Sequence, residues 1–277
     1  MVWLFKRRPL VSICVPAYYS QAFIASVLDS ALAQTVTDIE IIVSNDGGIA
    51  TPDLEPYRMH PNIRVIDQRR RLGWVDNTNF VLSKARGQYF MVLPHDDFLA
   101  PAYVEECLVC LEREPKAFAA YSDIEYPDGI MEASDVRGGL NDRVRYMMQN
   151  LYNGYSYRAL MRRRFADWSG LKLRHNPPTD FCVDTTWILQ QALLGELRRV
   201  PKPLYRKGYH EHNTHTKWQR IPKEDLIAAW LQHCDTLGAL ARKRVRNRAF
   251  IAELVEHRRD PCRVRETPPY LRAAFRK

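Results

Sequence analysis

No run of 18 or more apolar residues interrupts the 277-residue sequence, so no segment is long enough to cross a bilayer as a helix. The opening residues place Trp3 and Phe5 before Lys6, Arg7 and Arg8, without the apolar stretch or small-residue cleavage site of a secretory signal. They are expected to form a basic terminus or a short interfacial foot, with rings among lipid headgroups and cations on phosphates. Cysteine is scarce. Six residues in a chain of this length, with no secretion signal ahead of them, argue for a reducing compartment rather than a disulfide framework. Cys107 and Cys110 form a lone CxxC, but Val104, Cys107, Leu108 and Leu111 share helical spacing. That makes the two thiols packed helix-face groups rather than a zinc or redox pair. No internal repeat or low-complexity stretch is present. A GxGxxG after the first strand is also missing, which disfavours a nicotinamide-linked oxidoreductase.

What remains is an ordinary globular composition, 46% hydrophobic and 26% charged, enough for one large α/β domain or a domain with an appendage. The net charge of +9 is unevenly placed. Residues 242–277 hold 12 lysines and arginines against 4 acids, a surplus of +8, which leaves +1 for everything before them. The basicity belongs to the tail. It argues against a nucleic-acid-binding core and for a tail that meets an anionic surface.

The first half alternates strand-like and helix-like segments, the pattern of a mostly parallel sheet covered by helices. Residues 10–15 form a β-rich run expected to end at Pro16, and residues 39–43 and 63–66 give the next two strands. Residues 21–33 and 74–85 read as helices, the second with Gly87 as its C-cap. Residues 89–93 are a buried strand, and His95, Asp96 and Asp97 sit just beyond its carboxyl end. Residues 123–142 read as loop with a short strand, whereas 143–152, 181–194 and 223–240 look helical. Soft boundaries fall near 122 and 220, giving regions 1–122, 123–220 and 221–277.

Three polar clusters fall at successive strand ends: Tyr18 after the first, Asp46 in the glycine-rich turn after the second, and Asp96 with Asp97 after the buried strand. Open α/β sheets bind ligands at that edge. Carboxylates from separate strand ends, with an aromatic platform beside them, suit a nucleotide diphosphate bound through a divalent cation. Carboxylate oxygens are hard ligands for Mg²⁺ or Mn²⁺, and the diphosphate supplies the remaining oxygens. Taken singly, an Asp-Gly-Gly turn or an aspartate pair before a helix is ordinary structure. Their recurrence at three strand ends carries the inference.

The segments Val11 to Tyr18, Asp29 to Thr35 and Asp38 to Gly47, then Leu72 to Asn79 and Ala85 to Phe90 before the aspartate pair, resemble a family 2 glycosyltransferase in order and spacing. The resemblance is strong over residues 10–101 and weaker to about 215. It implies a GT-A fold: a Rossmann-like, mostly parallel sheet flanked by helices, with an acceptor-side region and, after it, a C-terminal helical extension. It further implies that Pro16, Ala17 and Tyr18 contact the nucleoside and Asp46 its uracil or ribose, with Arg71 and Asn79 near the donor. Asp96 and Asp97 stand at the family's metal-binding aspartate motif, Asp97 being the favoured direct ligand of Mn²⁺ or Mg²⁺. In the second half, Arg158 to Gly170 resembles the start of the acceptor region, and the stretch from Asp184 to Gly195 resembles the family's acidic helix start. Asp184 is thereby implied as the catalytic base, with Asp180 as its rival. His210 matches a histidine that reaches the metal or diphosphate in some GT-A enzymes. Without a cysteine partner or an HExxH frame, His210, His212 and His215 do not make a zinc site. Trp74 and Trp168 lie in stretches aligned with donor and acceptor regions, although packing is the better reading of both.

The implied reaction is an inverting transfer of a sugar from a nucleotide-sugar, a UDP-sugar by preference, to a glycan or lipid-linked acceptor in bacterial surface polysaccharide synthesis. The expected location is cytoplasmic, peripheral on the inner membrane face through the basic tail, with no nucleic-acid partner. A non-catalytic sugar-nucleotide binder of the same fold is the rival reading, favoured by Pro94, Asn45 and Val183 where the family often carries acids. A nucleotidyltransferase would want a glycine-rich phosphate loop and a lysine near the first strand, and Val15 to Tyr18 offers neither.

Overall fold

The β-rich run after Pro9 becomes β1 (Val11–Ala17), with β2 (Ile39–Asn45) on one side, β4 (Tyr89–Val92) on the other, and β3 (Ile63–Asp67) outside β2. A computed structural model describes residues 8–48, 51–151, 155–163, 171–208 and 218–276. These four strands are parallel, and β1 and β2 are buried almost throughout, as continuous apolar runs require. Helix α1 (Ile24–Leu32) buries Ile24, Val27, Leu28 and Ala31, one stripe at helical spacing. Helix α2 (Trp74–Ser83) follows β3.

Two local expectations need correction. Pro16 does not end β1. The carbonyl of Cys14 accepts the Leu93 N–H on the β4 side, and two residues on the Pro16 carbonyl points the same way, to His95. The missing proline N–H therefore faces a side where β4 has already ended. Gly87 is not a helix cap either, because α2 ends at Ser83 with Lys84 as its cap. A Cβ on Gly87 would come within 2.6 Å of the Tyr89 carbonyl and 2.7 Å of the Ser12 amide. Glycine is needed there for close approach of β4 to β1.

Beyond β4 the expected mostly parallel sheet turns mixed. Strand β8 (Leu160–Arg162) lies antiparallel between β4 and β6 (Ala117–Tyr126), and β9 (Glu196–Arg206) runs parallel to β6. Strand β5 (Phe98–Leu99) pairs antiparallel with β9, and β7 (Gly129–Met131) makes a hairpin with β6. Residues 123–126, expected as loop, continue β6. Position 122 lies inside that strand, so the first two regions share one sheet.

Helix α3 (Tyr103–Arg113) carries the CxxC as a packing face: Cys107 is fully buried, burial raises its thiol pKa, and all six cysteines are free. Helices α4 (Leu140–Gln149) and α5 (Val183–Leu194) precede the C-terminal helices α6 (Lys223–Ala241), α7 (Arg248–Arg259) and α8 (Pro269–Phe275). Leu226, Trp230 and Cys234 of α6 and Leu271 of α8 cluster with Phe181 and Cys182, just ahead of α5. Arg258 of α7 is 1% exposed and donates to the carbonyls of Met147, Met148 and Asn150, the negative end of α4. It also reaches Nε2 of buried His233, whose two ring nitrogens lie 3.0 and 3.3 Å from the hydroxyls of Thr186 and Thr185 in α5. Burial and the Arg258 charge hold His233 well below its ordinary pKa, hence neutral. The basic tail is thus partly core, clamped on the helix that bears Asp184. No helix among the described residues is long and apolar enough to cross a membrane.

Candidate donor and catalytic site

The carboxyl ends of β2, β1 and β4 lie side by side, and the three polar clusters follow them directly. Of Pro16, Ala17 and Tyr18, only Tyr18 offers a side chain of any reach. Ala17 is buried, its carbonyl approached by Asn77, and the Pro16 carbonyl is taken by His95 Nδ1 at 3.2 Å. The Arg71 guanidinium lies 4.4 Å from the Tyr18 ring centroid, a cation–π contact that covers one face of the ring.

Asp46 is 1% exposed. Its Oδ1 accepts the Leu72 N–H at 2.7 Å and its Oδ2 accepts the Gly73 N–H at 3.0 Å. The carboxylate fastens the loop that carries Arg71 rather than standing open to a base. Asn45 has a local reason to be an amide. Its Nδ2 donates to Asp67 at 2.9 Å while its Oδ1 accepts from Thr51, and an aspartate there would face Asp67 charge to charge. Asn79 turns away from the donor edge: its amide donates to the Leu173 carbonyl at 3.0 Å and accepts the Leu173 N–H at 2.9 Å. It clamps residues 171–173 onto α2. Sequence reading missed Asn77. Its Oδ1 accepts from Ser44 Oγ at 2.5 Å, and its Nδ2 donates to the Ser44 carbonyl at 3.1 Å and approaches that of Ala17 at 3.4 Å, tying the ends of β1 and β2 to α2. An asparagine inside a helix is disfavoured unless its amide has such partners, which is the signal that was available.

The two aspartates of the pair differ in their partners. Asp97 is fully buried. Its Oδ2 accepts from Arg158 at 2.9 Å and from Tyr205 at 2.7 Å, and its Oδ1 from Lys207 at 3.2 Å and the Gly208 N–H at 2.9 Å. Burial alone would raise its pKa, but Lys207 and Arg158 outweigh burial and hold it down to about 2. Four donors thus engage both oxygens of Asp97. Asp96, at the same strand end, is 8% exposed. Among the described residues no group of three or more His, Cys, Asp and Glu side chains converges. A single carboxylate completed by substrate oxygens nevertheless fits Mg²⁺ or Mn²⁺, which commonly keep few protein ligands beside phosphates. Gly208 rests directly on the pair, since a Cβ there would fall 1.6 Å from the Asp96 carbonyl oxygen. His210, two residues on, and Trp168 lie outside the described residues.

Asp184 occupies the first turn of α5, half-buried, its Oδ1 accepting the Thr185 N–H at 2.9 Å. A helix start favours a carboxylate. Here burial outweighs the Thr185 N–H and the Arg158 charge, and raises the carboxyl pKa above its ordinary value. Arg158 therefore acts on both acids: it bonds Asp97 and its field reaches Asp184. The rival Asp180 is not on the helix. It sits in a left-handed conformation, φ 55°, and its carboxylate holds His175 Nδ1 and the Asn176 N–H, while His175 Nε2 lies 3.3 Å from Asp76.

Parallel strands whose carboxyl ends lead into Tyr18, Asp46 and the aspartate pair, with a further carboxylate brought in on a later helix, define a GT-A-type α/β protein. The sequence model for glycosyl transferase family 2 matches residues 12–169, and the chain belongs to that family. It is 31% identical to chondroitin synthase of Escherichia coli over 84% of its own length and 34% of the synthase, so it spans about a third of that relative. Staphylococcus aureus TarS 1–349, solved with UDP-GlcNAc, superposes with a TM-score of 0.70 at 15% identity, covering 90% of this chain and 72% of TarS. The mannosyltransferase PcManGT of Pyrobaculum calidifontis, solved with GDP-Man and Mn²⁺, gives 0.60 at 17% identity over 97% of this chain and 74% of its own. At such identities the structural likeness concerns the fold.

Proposed function

We propose that the protein transfers a sugar, with inversion, from a nucleotide-sugar to a hydroxyl of a glycan or lipid-linked acceptor. The observation that carries the reading is Arg158, whose charge acts on the aspartate motif through Asp97 and on Asp184 at the start of α5. One residue thus links a donor-side carboxylate pair to a half-buried carboxyl poised as a base. Asp184 removes the proton of the acceptor hydroxyl as its oxygen bonds to the anomeric carbon, and the bond from that carbon to the diphosphate breaks on the opposite face. Burial raises the Asp184 pKa, which strengthens it as a base. Tyr18 supplies the nucleoside platform. Exposed Arg69, Arg70 and Arg71 directly precede the N-terminus of α2 and suit the diphosphate. A Mn²⁺ or Mg²⁺ ion held by Asp96 and the diphosphate oxygens would supply charge neutralisation to the leaving group. The UDP-GlcNAc of TarS and the GDP-Man and Mn²⁺ of PcManGT support a nucleotide-sugar donor and a divalent cation. The synthase relative supports a polysaccharide acceptor.

Calorimetry with UDP- and GDP-sugars, with and without Mn²⁺, tests the donor assignment. Asp96→Ala should weaken the Mn²⁺-dependent binding by more than about tenfold, since even supporting residues of metal sites carry effects of that order. Equal Mn²⁺-dependent affinity in wild type and variant would remove Asp96 from the site.

The tail reading changes form with the structure. Deleting residues 242–277 would remove buried Ile251, Leu254 and Arg258, so substitution is the sound test of membrane contact. Lys243, Arg244 and Arg246 are exposed between α6 and α7. A basic residue near an anionic leaflet contributes about 1 kcal/mol, so changing all three to glutamine should lower affinity for anionic vesicles about a hundredfold at low salt. Unchanged sedimentation with vesicles would refute the membrane role of this turn.

A further inference from the structure

The chain enters α5 through residues 174–182, and His175 stands near the start of that stretch between two carboxylates. Its Nδ1 lies 3.1 Å from Oδ1 of Asp180, ahead of α5, and its Nε2 lies 3.3 Å from Asp76 in the first turn of α2. A neutral imidazole carries one N–H, so one of the two carboxylates would face a lone pair. Only the imidazolium donates to both. Asp76 lies one turn before Asn79 on α2, whose amide clamps Leu173 to that helix. Farther on, Asp180 Oδ1 also accepts the Asn176 N–H at 2.9 Å. Asn176 Nδ2 donates to the carbonyls of Phe181 at 2.6 Å and of Ala229 in α6 at 3.0 Å.

Asp180 and Cys182 hold left-handed backbone, φ 55° and 60°, which residues other than glycine keep only where their surroundings enforce it. Asp184 follows Cys182 by two residues, so the placing of this turn sets the placing of the base. We propose that His175 is a positioning residue, whose imidazolium bridges Asp76 and Asp180 and so ties the turn that delivers Asp184 to the helix beside the donor edge. The proposal rests on the reading of Asp184 as the base and adds a second proton on which transfer depends. The charged groups that face His175 are Asp76 from α2 and Asp180 from its own turn. Partial burial would lower its pKa, but Asp180 first, and Asp76 with it, outweigh burial and raise it. The contribution of the bridge is therefore complete below the ordinary histidine pKa and is lost as pH rises through the raised, folded value.

The test is the pH profile of kcat/KM in the full chain, with amide exchange of residues 176–184 measured alongside at a single pH of about 6, below the ordinary histidine pKa. In the wild type, kcat/KM should fall at the alkaline end as His175 loses its proton. His175→Gln should lack that fall and run about three- to tenfold below wild type on its acid side, a modest factor because both pairs are partly open to solvent. His175→Arg, always charged, should hold the wild-type value through the fall and beyond it. Asp76→Asn should move the fall to lower pH, since it removes one of the two charges that favour the imidazolium. A wild type without the alkaline fall, or a fall that persists in His175→Gln or His175→Arg, overturns the proposal, even where the melting temperature drops. Exchange should be faster in His175→Gln than in wild type, and equal exchange also overturns it. A wild type that transfers no sugar removes the reading of Asp184 as the base, and the exchange comparison then decides the bridge by itself.

Discussion

Asp184→Asn is expected to lower turnover by about 10²–10⁴-fold, the usual worth of a general base, with donor affinity unchanged. The amide keeps the shape and an acceptor for the Thr185 N–H but cannot take a proton. Because burial raises the Asp184 pKa, its ionised form costs the folded state free energy at neutral pH, and that cost is relieved as pH falls. Removing the charge should therefore leave the melting temperature unchanged or raise it. A loss of activity with no loss of stability separates a base from a merely structural residue. The wild-type kcat/KM should also rise with pH through a limb above the ordinary aspartate range, and the variant should lack that limb. Turnover above about a tenth of wild type would place the base elsewhere.

Asp97→Ala should act on stability first. It leaves Arg158 and Lys207 facing a buried hole, and removing one partner of a buried pair costs about 3–5 kcal/mol. The melting temperature should fall on the order of 10 °C. The acid limb carries the same sign. With a folded pKa of about 2, below the unfolded value, Asp97 contributes stability that is complete above the unfolded pKa and is lost as pH falls through the folded one. In the variant this acid-dependent component should be missing from denaturant titrations between about pH 4 and 2. A variant that melts like wild type and loses only Mn²⁺-dependent binding would return Asp97 to the metal.

Reading the sequence and reading the fold agree where the signal is local. The buried strands, the amphipathic stripe of α1, the packed CxxC of α3 and the helical run of α6 all follow from periodicity over a few turns. Order along the chain also placed Tyr18, Asp46 and the aspartate pair at strand ends, because a parallel sheet delivers successive carboxyl ends to one edge. Position at that edge was legible; the direction of each side chain was not. Asp46 and Asn79 turn to the backbone of distant residues, Leu72, Gly73 and Leu173, and no spacing rule reports such partners. The partners of Asp97 were hidden for the same reason, since Arg158, Tyr205 and Lys207 lie 61, 108 and 110 residues away in sequence.

What the sequence by itself determined, then, is the family-like order of strands and acids and the one-sided placement of charge. Both are properties of neighbours along the chain. Only the tertiary structure decided which donors hold Asp97 and that burial raises the Asp184 pKa. It also decided that part of the basic tail is core. Each of those is set by desolvation and by partners gathered from across the fold, Arg158 from the turn before β8 and Arg258 from α7. A carboxylate's charge state depends on what surrounds it in space, and Asp97 draws its four donors from residues far along the chain.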